Sequence, residues 1–228
     1  MATADKARRD QLKQFTARQT LHAHHRSRSV KDQWVWSVAA VVAVTISGLG
    51  LWAYSTIGPG KPATVADASV SEYREWTGEL VLRDATLDIT LDGASAPQAV
   101  ANFVDLNSRG YFDDSACHRL TTEGLFVVQC GDPLGLGIGN PGYTFGPLEN
   151  TPEDGVYPAG TLAMARASND ASSMGSQFFI VYEDSEIPDD IVGGYTVFGQ
   201  VTNGLDGFIR NYVEPGTADG STDGQPSI

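Results

Sequence analysis

Residues 117–133 read CHRLTTEGLFVVQCGDP. Two strand-like runs, 116–121 and 125–130, flank the polar turn Thr122-Glu123-Gly124, which is the pattern of a β-hairpin. Each run carries a long polar side chain in a strand-like setting, Arg119 in CHRL and Gln129 in VVQC. A third, Gln177, lies in GSQFFIV at 175–181. Such groups need partners if buried. One alone would be read as satisfying backbone groups in a core. Three of them, interleaved with Phe126, Phe178 and Phe179, describe a shallow apolar pocket with a few donors, which is the face of a peptide-binding site.

Outward from this hairpin the chain breaks into short runs. Residues 78–83 and 86–91 alternate about Asp84-Ala85 and predict a second hairpin, and 161–165, 177–182 and 195–202 predict further strands. Ala96-Pro97 opens a helix whose apolar face is Val100, Phe103 and Val104, with Gly110 past its end. Leu205, Phe208, Ile209, Tyr212 and Val213 share helical spacing and predict a second helix. Many short strands, two helices and Gly-rich turns predict a mainly β barrel or sandwich with helices at its ends. No apolar alternating run follows Val213.

The charge is distributed in blocks. The chain has 228 residues and a net charge of −13, made of +5 over residues 1–33, zero over 34–60 and −18 over 61–228. An acidic domain of this kind excludes the basic face of a nucleic-acid binder. Residues 34–54, WVWSVAAVVAVTISGLGLWAY, have Ser37, Thr45 and Ser47 as their only polar side chains before Tyr54, with Trp34, Trp36 and Trp52 near the ends. A helix of about 20 such residues crosses one hydrocarbon core, and aromatic rings collect at its interfaces. A cleaved leader would have a shorter apolar region. The sequence therefore predicts a basic cytoplasmic tail at 1–33, a single transmembrane helix at 34–55, a Gly/Pro/Ala/Ser-rich linker at 56–73 and an extracytoplasmic domain at 74–228 of a monomeric protein in the cell membrane.

Other chemistry is sparse. There is no GxSxG, and His118 is the one histidine after residue 60, so no Ser-His-Asp triad can be assembled. GLGIGNPG, at 135–142, lacks a strand-then-helix setting and reads as a flexible loop. Asp219 and Asp223, spaced by Gly and Ser, read as a solvated end, and His22, His24 and His25 have no acidic or thiol partner nearby. No metal is expected. Cys117 and Cys130 face an oxidising compartment, which favours a disulfide. Two registers are open: a hairpin centred between Glu123 and Gly124 sets the two cysteines directly opposite, whereas one centred on Gly124, the register that the family resemblance described below implies, sets Arg119 opposite Gln129 and the cysteines on opposite faces. Without a bulge the second register favours two buried thiols.

The segments CHRL (117–120), LFVVQCGDP (125–133), GTLAMA (160–165), GSQFFI (175–180) and YTVFGQV (195–201), preceded by APQAVANFV (96–104), resemble the cyclophilins, the peptidyl-prolyl isomerases. The CHR, QCGDP and PGYTF combination resembles their membrane-anchored or secreted actinobacterial branch. The resemblance runs from about Arg74 to Gly220. It implies a closed antiparallel barrel of about eight strands capped by two helices, here with the closing strand missing. It implies no cofactor, and proline-containing polypeptides as substrates. Arg119 matches the catalytic arginine, and Phe126, Val127 and Gln129 match the Phe-Met-x-Gln stretch with Val for Met. Ala165 matches the groove alanine, and Gln177 and Phe179 match the GSQFF pair. Arg166 stands where Asn is usual, Tyr195 where His is frequent, and Ile187 near a Trp-Leu pair that this chain lacks. The changed rim and missing strand leave a second reading, a non-catalytic scaffold that holds proline peptides.

Overall fold

The computed structural model describes Lys13, Thr16, Arg18, Gln19, residues 34–53 and residues 63–227, in two units that divide at Pro62 and Ala63. The histidine cluster at 22–25, most of the expected tail and residues 56–62 of the expected linker lie outside the described residues. In the first unit, helix α1 (Trp34–Ala53) is long and apolar enough to cross a membrane by length and composition.

The second unit is built on one antiparallel sheet. Strands β1 (Glu75–Leu82) and β2 (Ala85–Asp92) form a hairpin in register from Glu75 opposite Asp92 to Leu82 opposite Ala85. The turn is Arg83-Asp84, with Arg83 at φ 49°, so Ala85 is already a strand residue and not part of the turn. Helix α2 (Pro97–Ser108) follows, with Pro at its first turn. Its own N-cap, Ala96, supplies no side-chain bond. The carboxylate of Glu149 replaces it, accepting the amides of Gln98 and Ala99 at 3.0 Å, where an anion also meets the positive end of the helix dipole. Ala99, Val100 and Phe103 enter the core.

The remaining strands are β3 (Arg119–Thr121), β4 (Val127–Cys130), β5 (Val156–Tyr157), β6 (Thr161–Met164), β7 (Phe178–Val181), β8 (Ser185–Glu186), β9 (Val197–Asn203) and β10 (Asp223–Gly224). Eight of them form one sheet in the order β1-β2-β9-β6-β7-β4-β3-β10, while β5 and β8 pair separately. After Val213 the chain adds only the two-residue strand β10, which pairs with β3 at one end of the sheet and does not close it, so the expected lack of a closing strand stands. The closed barrel is not formed: among the described residues β1 and β10 are the two ends of the sheet. A hollow of about 740 Å³ lies along β1, lined by residues including Glu79, Val81, Asp113, Asp114, Cys117 and Cys130. The second predicted helix starts as α3 (Leu205–Phe208) and then widens, with the Glu214 amide donating to the Ile209 carbonyl five residues back. Phe208 and Tyr212 still face the core.

Two further expectations change. The segment before β1, assigned to a linker running to residue 73, packs on the domain from Val65 onward: Val65 touches the core, Ser71 is buried, and the Trp76 indole donates to the Ser71 carbonyl at 2.7 Å. Cys117 and Cys130 form a disulfide rather than two thiols. The expected register is present, with Arg119 opposite Gln129. The His118 amide donates to that same Gln129 carbonyl at 3.0 Å. Two residues of one strand therefore face one of the other, and this bulge turns Cys117 to the side of Cys130. Gly131 follows at φ 85°, where a Cβ would overlap the Ser176 carbonyl.

Candidate functional site

Side chains alternate across a strand, and β4, β6 and β7 bury both faces. Val128, Cys130, Leu162, Met164, Phe178 and Ile180 enter the main core. Val127, Ala163, Phe179 and Val181 form a second apolar cluster with Tyr157 on the opposite face. A cavity of about 90 Å³ opens on that second face. Its walls are Arg119, Leu125, Val127, Gln129, Ala165, Arg166, Phe179, Ile187 and Tyr195.

Eight sequence-assigned residues meet there, and two do not. Phe126 turns away: its ring packs edge-on to Tyr182 at 5.9 Å, and it joins the main core. The cause is period two, since 125, 127 and 129 share one face and 126 and 128 the other. Leu125, which is not among the expected site residues, lines the cavity in its place. That period was the available signal. Gln177 lies next door, in a hollow of about 240 Å³ that shares Gln129, Ala165 and Arg166 with the first.

The polar groups form a directed chain. The Gln177 side-chain amide donates to the Gly139 carbonyl at 2.9 Å. Gln129 donates to the Gln177 side-chain oxygen at 2.8 Å. Arg119 Nη1 lies 3.5 Å from Gln129 Oε1. On its other side Arg119 donates from Nε and Nη2 to the two oxygens of Asp223, each at 2.7 Å. Asp223, expected at a solvated end, is thus a strand residue beside the site. The pair raises the Arg119 pKa and holds the Asp223 carboxyl below its ordinary range.

Arg166 reaches the same cavity with a buried guanidinium, 1% exposed, that is fully engaged. It pairs with Asp190 at 2.7 Å, donates to the carbonyls of Gly194 at 3.0 Å, Ala167 at 3.0 Å and Gly193, and lies 4.7 Å over the Tyr195 ring. The Arg166 guanidinium holds the Asp190 carboxyl well below the usual range. Tyr195 in turn sits edge-on to Phe179 at 5.4 Å. Arg166 therefore anchors the 190–195 loop that carries one wall of the cavity.

The glycine-rich loop is pinned rather than free. The buried Asp132 carboxylate accepts the amides of Leu134, Leu136, Ile138 and Gly139 at 2.8–3.1 Å. Burial raises its pKa, but these amides outweigh burial and the net shift is downward. A Cβ at Gly139 would overlap this carboxylate. Burial pulls the His118 imidazole below its ordinary value, which leaves it neutral at pH 7. Among the described residues no three His, Cys, Asp or Glu side chains are grouped to share a metal ion.

The chain resembles known proteins of one family. The family described as Cyclophilin type peptidyl-prolyl cis-trans isomerase/CLD matches residues 79–218. The probable peptidyl-prolyl cis-trans isomerase B of Mycobacterium tuberculosis is 39% identical over 179 residues, 73% of this chain and 53% of that protein. The chain thus spans about half the length of its mycobacterial relatives. Peptidyl-prolyl cis-trans isomerase B of Bacillus subtilis is 40% identical over 136 residues, 59% of this chain and 89% of that protein. A Cryptosporidium parvum cyclophilin-type isomerase, solved in the presence of the dipeptide Ala-Pro, superposes with a TM-score of 0.55 at 27% identity, covering 66% of this chain and 91% of that one. The chain belongs to the cyclophilin-type peptidyl-prolyl cis-trans isomerase family.

Proposed function

We propose that the chain is a peptidyl-prolyl cis-trans isomerase that acts on proline-containing polypeptides outside the cytoplasm, held at the membrane by α1. The observation that carries the activity is one cationic donor, Arg119, placed over an apolar floor that includes Val127 and Phe179 and backed by Gln129. The Ala-Pro dipeptide present with the Cryptosporidium relative supports a prolyl substrate. The basic block before α1 and the acidic block after it support the orientation.

The chemistry follows from the peptide bond. Its rotation barrier is about 18–20 kcal/mol because the C–N bond is partly double. At the twisted geometry that conjugation is lost and the prolyl nitrogen regains a lone pair. A fixed donor aimed at that nitrogen binds the twisted state more tightly than either planar isomer, which is what accelerates the reaction. Arg119 is that donor. Val127, Phe179 and Leu125 hold the proline ring, Gln129 orients the guanidinium, and Gln177 and Ala165 face the substrate backbone. No covalent bond forms or breaks.

A coupled proline-isomerisation assay on the full-length chain in detergent tests this. Arg119→Ala should lower kcat/KM by about 10²–10³, the usual cost of removing one transition-state donor, with thermal stability retained. Undiminished activity in that variant would overturn the reading. A wild-type protein that binds proline peptides without isomerising them would instead establish the scaffold.

A further inference from the structure

Arg119 is gripped from two directions. β10 pairs with β3 on the side away from β4, with Asp223 opposite Thr121 and Gly224 opposite Leu120, and the Thr122 amide donates to the Thr222 carbonyl at 2.9 Å. A residue opposite Thr121 is the diagonal neighbour of Arg119 on the same sheet face, within reach of a long side chain. Asp223 uses that reach fully, taking the Nε–H and one Nη2–H edge of the guanidinium with its two oxygens. The hydrogens left over are those of Nη1 and the outer one of Nη2, and Nη1 points toward Gln129 in the cavity wall.

The segment that delivers Asp223 is locally organised. Thr217 bridges to Pro226, and both are buried. The Ala218 amide donates to the Gln225 carbonyl at 2.8 Å, and Ser221 Oγ donates to the Asp223 carbonyl at 3.0 Å. A Cβ at Gly224 would come within 2.7 Å of Ser221 Oγ, so the turn is closed around a glycine.

We propose that Asp223 is a positioning residue for the isomerase reaction, holding the Arg119 guanidinium so that its free Nη edge is presented to the prolyl nitrogen. This rests on the isomerase reading above. The physical need is plain: the Arg119 side chain is 40% exposed, and a half-exposed arginine with one long contact to Gln129 samples many rotamers. A bidentate carboxylate removes that freedom before substrate arrives and fixes direction as well as charge. The carboxylate also raises the Arg119 pKa further. The other charged and titratable groups acting on this guanidinium are Tyr195 and the neutral His118. Arg166 shares the cavity wall but is neutralised by Asp190.

The test uses the full-length protein in detergent with Asp223→Asn, Asp223→Glu and Arg119→Ala. Asp223→Asn keeps size and one acceptor but loses the charge and the second oxygen. It should lower kcat about tenfold or more, as misplacement of a reacting group does, while KM for a proline peptide and the melting temperature stay near wild type. Asp223→Glu should recover most of the loss. In the wild-type protein the Arg119 Nε–H should give a slowly exchanging amide-like NMR signal, which is lost in Asp223→Asn. Unchanged or raised kcat in Asp223→Asn would overturn the proposal, as would a loss of kcat accompanied by a matching loss of melting temperature. If the wild type and Arg119→Ala are equally inactive, the isomerase reading fails and this proposal with it. An active wild type whose activity ignores Asp223 sinks only the positioning role.

Discussion

The Arg166 guanidinium carbon lies over the Tyr195 ring, 4.7 Å from its centre, while its nitrogens bind Asp190 and three carbonyls. A position expected to contact substrate thus has its side chain committed to the loop behind the site. Truncating it would leave the Asp190 carboxylate and the partly buried carbonyls of Gly193 and Gly194 without this donor, a cost of about 1–3 kcal/mol. Arg166→Ala should therefore melt about 5 °C lower or more and raise KM as the Tyr195 wall loosens. Calorimetry and steady-state kinetics on the same sample check both. A variant with wild-type stability would mean the guanidinium is not buried in solution.

Phe126 and Leu125 exchange their expected roles. Phe126 packs on Tyr182, whose hydroxyl donates to the Thr121 carbonyl at 2.6 Å and whose pKa burial pushes up to about 12. Phe126→Ala should lower stability by about 2–4 kcal/mol, somewhat less than a fully buried ring, and leave KM nearly unchanged. Leu125→Ala should do the reverse, raising KM severalfold with little loss of stability. Denaturant unfolding paired with peptide titration distinguishes them.

The disulfide closes a span of 13 residues that carries both Arg119 and Gln129. Restricting a loop of that length in the unfolded chain contributes about 3 kcal/mol. Reduction, or Cys117→Ser with Cys130→Ser, should lower the unfolding free energy by about that amount. Activity should fall less, because β3, β4 and β7 still pair. Non-reducing mass spectrometry should find a mass two daltons below that of the dithiol.

The pH dependence has a definite sign. Asp223 binds Arg119 in the folded chain, and its folded pKa lies below the unfolded carboxylate value of about 3.9. Its contribution is fully present above about pH 4 and is lost as pH falls through the folded value. Both partners are about half exposed, so the contribution is small, roughly 0.2–1 kcal/mol. Acid unfolding of Asp223→Asn should show a correspondingly shallower slope below about pH 4. Because no proton moves in the reaction and His118 is neutral, kcat/KM should be flat from about pH 7 to 9; a bell-shaped profile would point to a general acid or base.

The longer strands were legible because alternation announces them, and α2 because Pro97 and its apolar spacing do. The two-residue strands β5, β8 and β10 are too short to carry any period. The site was readable where its members lie in strand-like runs, as with Arg119, Gln129 and Phe179. It was unreadable where partners come from afar: Asp223 lies 104 residues from Arg119, and Glu149 caps α2 from about 50 residues away. The disulfide hinged on one local irregularity. A register argument built on period two fails wherever two residues face one, and nothing in CHRL marks His118 as the place where that happens.

Among the described residues β1 is bonded to β2 alone, and its other side looks onto the hollow toward Cys117 and Cys130. A bare sheet margin is a template on which another extended chain can grow. Here Glu75 and Glu79 stand exposed along that margin, and Asp113 and Asp114 line the hollow across from it. A second copy of so acidic a domain would bring the same carboxylates against these. Like charges brought together along this margin oppose edge-to-edge pairing of two copies there.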